Sequence, residues 1–312
     1  MQVWILLCGL TLCCFDRFEC IESILIRNNH CHAMSLPDGY TLAHLLFEGT
    51  QCAYLRGGSG PTLLLVHGSG PGASSLGNWR AVLPALARRF DVVAMDLVGF
   101  GQSGRKPAAP YFDFDMWVRQ VRAMMSHLGE GPIGLVGHSL AGALALTVAS
   151  GNPAVRGVVA TGTMGIPFAP NDATRRTWKC PRSRPELVRA LQGLIHDHSV
   201  IDEAYLAVRE PVIFAPGYAD YFDAMFDAAP ATYIAAATLS EQTLRGIRCP
   251  VTLLHGRDDA AFPPAASQRI AEQLADADLV LLAGCSHSVA FERPDVFLAM
   301  VHQRFGALPY FL

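Results

Sequence analysis

The chain has 312 residues, of which 51% are apolar and 16% charged, with a formal net charge of −3 at pH 7. Such a length and composition can bury the core of one large α/β domain, or of one domain carrying an insertion, and the charge balance excludes a surface built for nucleic acid or anionic membrane. Of the nine cysteines, five fall in the first tenth of the chain and four are scattered without paired spacing, which argues for a reduced, cytoplasmic protein rather than a disulfide framework.

Residues 3–15 are apolar, but at about 13 residues the run is too short to span a bilayer. No Lys or Arg precedes it and no small-residue cleavage site follows, so it does not read as a signal peptide. Residues 1–33 are therefore expected to be an N-terminal extension outside the fold, with Met34 opening the folded chain. Residues 41–47 and 51–56, separated by Glu48-Gly49-Thr50, predict a hairpin. Apolar runs of buried-strand type follow at 62–66, 91–95, 133–136, 155–160, 251–254 and 279–282. Helical stretches lie between most of them, among them 79–89 and 117–128. Strand–helix–strand repetition with β-branched runs predicts a mostly parallel, doubly wound sheet covered on both faces. The alternation stops over residues 168–245, which are helix-like and hold no such strand. That region reads as a helical cap inserted after the sixth core strand, leaving 34–167 and 246–312 as the α/β core.

The most informative stretch runs from Pro132 to Gly142. An apolar strand leads into Gly137-His138-Ser139-Leu140-Ala141, and an Ala-rich helix follows, which is the layout of a nucleophile elbow. Serine at such a turn suits acyl transfer, with the Leu140 amide beside it as an oxyanion donor. After the strand at 62–66, His67-Gly68-Ser69-Gly70-Pro71-Gly72 can present further backbone N–H groups, and His67 is expected to support that loop. After the strand at 251–254, Asp258 and Asp259 are both candidates for the triad acid. After the last strand, His287 stands in a strand-end loop, where a general base must be to reach Ser139. Serine, acid, histidine is the chain order of one convergent triad type. Cys285 has no elbow around it, and the pair His196 and His198 lacks a third ligand at metal spacing, so neither a thiol nucleophile nor a metal site is expected. No phosphate loop or dinucleotide fingerprint is present, and no cofactor is expected.

These motifs resemble the α/β-hydrolase superfamily over nearly all of residues 34–312. Asp96-Leu97-Val98-Gly99-Phe100-Gly101 resembles that family's loop after its fourth strand, and the family's usual acid, placed between Gly256 and Pro263, selects Asp259. Gly68-Ser69-Gly70-Pro71-Gly72-Ala73, followed by Gly77-Asn78-Trp79-Arg80, resembles the meta-cleavage product hydrolases, which hydrolyse a carbon–carbon bond in dienol ring-fission products of aromatic catabolism. Residues 195–201, ahead of Arg209, resemble their cap segment. Residues 165–168 and 224–226 are similar to the 2-hydroxymuconate semialdehyde hydrolase type.

The resemblance implies Ser139, Asp259 and His287 as the triad and the amides of Ser69 and Leu140 as the oxyanion hole. It implies Arg209 for the substrate carboxylate, with Gly70, Asn78 and His138 also in the substrate site. It further implies a small-molecule substrate, no nucleic acid or membrane partner, and leaves a homo-oligomer open. Three positions depart from the family pattern: His138 stands for asparagine, Ala141 for glycine, and Ser288 for tryptophan. A carboxylesterase or other acyl hydrolase uses the same triad and is the alternative expectation. A ligand-binding relative with little turnover is a third, disfavoured by the complete triad. Ser139 itself excludes the aspartate-nucleophile relatives.

Overall fold

The apolar runs become strands because each is bounded by turn residues and carries β-branched or leucine side chains that pack on both faces of a sheet. The computed structural model describes residues 36–306, so the extension expected over residues 1–33 lies outside the described residues. β1 (Tyr40–Phe47) and β2 (Thr50–Gly57) form the hairpin, and β3 (Thr62–Val66) follows. Short helices α1 (Ser75–Trp79) and α2 (Leu83–Leu86) lead to β4 (Asp91–Met95), and α3 (Phe114–Leu128) leads to β5 (Ile133–His138). Helix α4 (Leu140–Ala149) joins β5 to β6 (Val155–Thr161). The chain then makes a helical excursion through α5 (Asp172–Thr177), α6 (Arg184–Gln192), a 3-10 turn (His198–Val200), α7 (Glu203–Ala207), α8 (Glu210–Ile213), α9 (Tyr218–Met225), α10 (Pro230–Ala236) and α11 (Glu241–Gly246). It returns through β7 (Val251–Gly256), α12 (Ala265–Ala271), β8 (Ala277–Leu282), α13 (Val289–Glu292) and α14 (Pro294–Gly306).

The sheet order is β1-β2-β4-β3-β5-β6-β7-β8. Strand β2 is antiparallel to both of its neighbours, and every pairing from β4 across to β8 is parallel. Leu63, Leu64 and Leu65 on β3 are fully buried, as are Val92 and Val93 on β4. Winding proceeds from β3 to β4 on one side and then to β5 on the other. The loops after β3 and β5 therefore diverge, leaving a crevice at the carboxyl ends of the strands. Helix α4, buried at every residue except Thr147, is apolar all round because it lies between the sheet and its neighbouring helices.

Two local expectations need correction. The helix predicted over 79–89 is shortened to α2, with α1 ending at Trp79, because Pro84 lacks an amide and can enter a helix only in its first turn, where it sits in α2. Strands β5 and β7 run two residues beyond their apolar runs. Gly137 and His138 still pair with Ala160 and Thr161, and His255 and Gly256 with Leu281 and Leu282. Ladder pairing outlasts hydrophobicity there and draws two histidines into the buried strand ends.

Candidate active site

Ser139 directly follows β5 and caps α4 with φ 59° and ψ −121°, a conformation costing a non-glycine residue roughly 1–3 kcal/mol. The surroundings enforce it. The Ser139 amide donates to Thr161 O at 2.8 Å, and the Ser139 carbonyl accepts from Gly142 N at 3.0 Å and Met164 N at 3.1 Å. The chain crosses itself so closely that a Cβ at Gly137 would strike the Ala141 carbonyl, and one at Gly142 would strike the Thr163 side chain. Ala141, at the fifth motif position, is fully buried beside these close approaches.

His287, in the loop after β8, donates from Nδ1 to Asp259 Oδ2 at 2.6 Å. Asp259 follows β7, and its Oδ1 accepts from the amides of Ala261 at 3.1 Å and Phe262 at 2.9 Å. Burial alone would raise the Asp259 pKa. The charge of His287 and hydrogen bonds from His255 and His287 outweigh that effect and hold the carboxyl below the usual carboxylate range. The Phe262 ring lies 4.5 Å from the imidazole of His287 at 24°, fixing its plane by stacking. Ser139 Oγ makes no hydrogen bond to another described residue, but Ser139 and His287 line one cavity. Nucleophile–base hydrogen bonds are commonly loose before substrate arrives. Asp258 instead accepts from Cys285 N at 3.3 Å and lies 3.4 Å from His196 Nδ1.

The loop after β3 lies against Ser139, so that a Cβ at Gly68 would come within 3.1 Å of the serine Cβ. His67 braces it, with Nδ1 donating to Gly68 O at 2.6 Å and Nε2 accepting from Leu97 N at 3.0 Å. Among the described residues neither the Ser69 amide nor the Leu140 amide has an acceptor. The Leu140 N–H is one of the free donors at the start of α4, where the helix dipole also favours negative charge. Gly70 and Asn78 line the same cavity, and the Asn78 side chain makes no hydrogen bond to a described residue.

Arg209, between α7 and α8, is 7% exposed and lines this cavity too. Its Nη2 donates to Gly77 O at 2.9 Å and to Tyr205 Oη at 2.8 Å, and its guanidinium lies 4.7 Å from the Tyr205 ring centroid. It has no carboxylate partner among the described residues, and its Nε has no acceptor. His138 places Nδ1 3.2 Å from Thr161 O and 3.0 Å from Thr161 Oγ1, with its ring 4.6 Å from that of His287. Burial, and then the charge of His287, hold its pKa well below the usual imidazole range. Nδ1 can donate to Thr161 O or accept from the Thr161 hydroxyl.

Four contributors have no motif. Trp178 donates from Nε1 to Ser69 Oγ at 3.1 Å, Tyr205 holds Arg209, Phe262 stacks on His287, and His255 lies 3.2 Å from Asp259 Oδ2. All four are aromatic or histidine side chains, and they share no other sequence signal. Thr177, Leu187, Leu191 and Leu194 from the excursion complete the cavity wall.

Residues 61–294 match the alpha/beta hydrolase fold family. The chain belongs to this family. Among the relatives of this hydrolase is the 2-hydroxy-6-oxo-2,4-heptadienoate hydrolase of Pseudomonas putida, 32% identical over 251 residues, covering 80% of this chain and 91% of that one. Another is a 2-hydroxymuconate semialdehyde hydrolase of a Pseudomonas species, 31% identical over 245 residues, covering 78% and 86%. The meta-cleavage product hydrolase of Pseudomonas fluorescens IP01, solved as a mutant complexed with acetates, superposes with a TM-score of 0.80 at 28% identity, covering 85% of this chain and 97% of that one. The motif resemblance to meta-cleavage product hydrolases thus extends along the hydrolase core. No helix among the described residues of this hydrolase is long and apolar enough to cross a membrane.

Proposed function

We propose that this hydrolase cleaves a carbon–carbon bond in a dienol ring-fission product of aromatic catabolism, of the 2-hydroxymuconate semialdehyde or 2-hydroxy-6-oxohexa-2,4-dienoate type. The observation that carries the reading is Arg209. A guanidinium taken out of water without a counter-ion is costly, and here it sits in the cavity of Ser139 and His287. A substrate carboxylate at that place supplies the missing charge, and the planar fork of arginine suits it. The activities printed in the names of the relatives agree with this class.

In this reading Arg209 fixes the carboxylate and 2-oxo end, while Leu187, Leu191 and Leu194 cover the diene and the far substituent. The dienol first becomes a ketone: the 2-hydroxyl proton leaves and C5 gains one, with His287 as the proton carrier and His138 and Asn78 as polar neighbours. Ser139 then attacks the C6 carbonyl as His287 takes its proton, and the Ser69 and Leu140 amides receive the developing oxyanion. The C5–C6 bond breaks, its electron pair passes into the new dienolate, and the proton on His287 completes that product. Water then releases the acyl group from Ser139 by the same base. Asp259 keeps the imidazole in the required tautomer throughout. Residues 168–245 act as a cap over the cavity, a role supported by the side chains they contribute to its wall. Cytoplasmic location is supported by the free thiols Cys52, Cys180, Cys249 and Cys285.

Ring-fission products absorb visibly as dienolates, so cleavage bleaches them. The purified enzyme, offered 2-hydroxymuconate semialdehyde, its methyl-ketone and phenyl-ketone analogues, and p-nitrophenyl acetate, is expected to bleach the dienols. Rapid ester turnover without any bleaching would overturn the carbon–carbon assignment and leave a carboxylesterase.

A further inference from the structure

The acid of the triad is itself held by a second histidine. His255, at the end of β7 and fully buried, places Nε2 3.2 Å from Asp259 Oδ2 and 3.1 Å from Phe262 O. Both of those atoms can only accept, so Nε2 must carry the ring proton. On the opposite side, Nδ1 lies 2.7 Å from the hydroxyl of Ser267, a buried residue of α12. Every polar atom is satisfied when the Ser267 hydroxyl donates to Nδ1 and Nε2–H donates across to the carboxylate and the carbonyl. Ser267 thereby fixes the tautomer of His255, as Asp259 fixes that of His287.

The geometry points to His255 as a positioning residue: locked by Ser267, it holds Asp259 Oδ2 in place and shares that oxygen with His287. The proposal rests on the assignment of Ser139, His287 and Asp259 as the triad. Asp259 then has all its acceptor sites filled, two by the Ala261 and Phe262 amides and two by histidine N–H groups. A donor on Oδ2 draws off part of the carboxylate charge that would otherwise favour protonated His287. Removing it leaves a freer and more strongly attracting carboxylate facing His287. The ionisable side chains meeting His287 are Asp259 from the β7 loop and His138 from β5; the excursion meets it through the Leu194 carbonyl. Neither of the other two contacts changes when His255 is replaced.

The test uses p-nitrophenyl acetate, so that it depends on the triad and not on the dienol assignment. Replacing His255→Phe is expected to lower kcat/KM about tenfold to a hundredfold, as for loss of a hydrogen bond to a charged group. It should also move the acid limb of the pH profile, on which the base loses its proton, to higher pH. His255→Gln, which restores an N–H near the same place, should return that limb towards its original position. Ser267→Ala should shift it in the same direction as His255→Phe but by less. An acid limb that stays put in folded His255→Phe overturns the proposal, however much rate or thermal stability is lost. If that variant does not fold, an unmoved limb in Ser267→Ala overturns it instead. Ester turnover that survives Ser139→Ala sinks the triad assignment and the proposal with it, whereas failure to bleach dienols touches only the substrate reading.

Discussion

Trp178 donates its indole N–H to Ser69 Oγ across 109 positions of sequence, at 3.1 Å. One residue belongs to the helical excursion and the other to the loop after β3, so these two segments are hydrogen-bonded to each other. The indole is itself fixed by Phe226, whose ring lies 5.6 Å away at an interplanar angle of 7°.

Trp178→Phe deletes the donor together with part of the ring that packs on Phe226, Tyr233 and Phe262. Loss of one neutral hydrogen bond is worth about 1 kcal/mol, or roughly fivefold in rate if felt mainly in the transition state. We expect kcat to fall by about that factor and the melting temperature to drop from the space the smaller ring leaves. Steady-state kinetics on p-nitrophenyl acetate checks it, and an unaltered kcat would mean that Ser69 is positioned without the indole.

Arg209→Ala should separate the two substrate classes. Removing the partner of a bound carboxylate is expected to cost about a hundredfold or more in kcat/KM on dienols. Simple esters, which lack that carboxylate, should change by only a few fold. Arg209→Lys should recover little, because a point charge does not reproduce the planar fork that suits a carboxylate while Nη2 holds Tyr205 Oη and Gly77 O. Equal losses on both substrates would assign Arg209 to the architecture of the cavity.

Ser139→Ala should reduce turnover of dienols and esters alike by a factor on the order of 10⁴ or more. Because alanine tolerates φ 59° no better than serine, the fold should be neither relieved nor greatly harmed. Residual bleaching at wild-type rate would remove the nucleophile role.

Stability should fall on mild acidification. His138 has its folded pKa depressed by burial and by the charge of His287, and burial depresses that of His67. Below about pH 6.5 the unfolded histidines bind protons that the folded ones refuse. The unfolded state then holds more protons, so unfolding free energy drops with falling pH, by up to about 1.4 kcal/mol per unit for each such group. The loss begins at the unfolded value and is complete only once pH has passed the depressed folded one. His138→Asn should flatten this slope, as read from melting temperatures across the pH series; an unchanged slope would place the acid sensitivity elsewhere.

The parts that were legible in the sequence are local. Apolar runs between turn residues mark the strands, and Ser139, Asp259 and His287 stand in strand-end loops beside glycines that advertise tight turns. What could not be read comes from two physical causes. Pairing can outlast hydrophobicity, which hid that His138 and His255 belong to β5 and β7 rather than to loops. Packing also joins residues distant in the chain, so nothing near Trp178, Tyr205 or Phe262 announces Ser69, Arg209 or His287 as its partner. Pro84 was visible throughout, and its confinement to the first turn of a helix shortened the one expected there.

The Leu194 carbonyl accepts from both the His287 amide at 3.1 Å and the Ser288 amide at 3.3 Å. Leu194 lines the cavity, so the cavity wall and the backbone at His287 are fastened at one atom. Moving Leu194 away from the cavity must either sever both bonds or carry the backbone of His287 and Ser288 with it. Any movement that widens the cavity at this point therefore also disturbs the seat of the His287 imidazole.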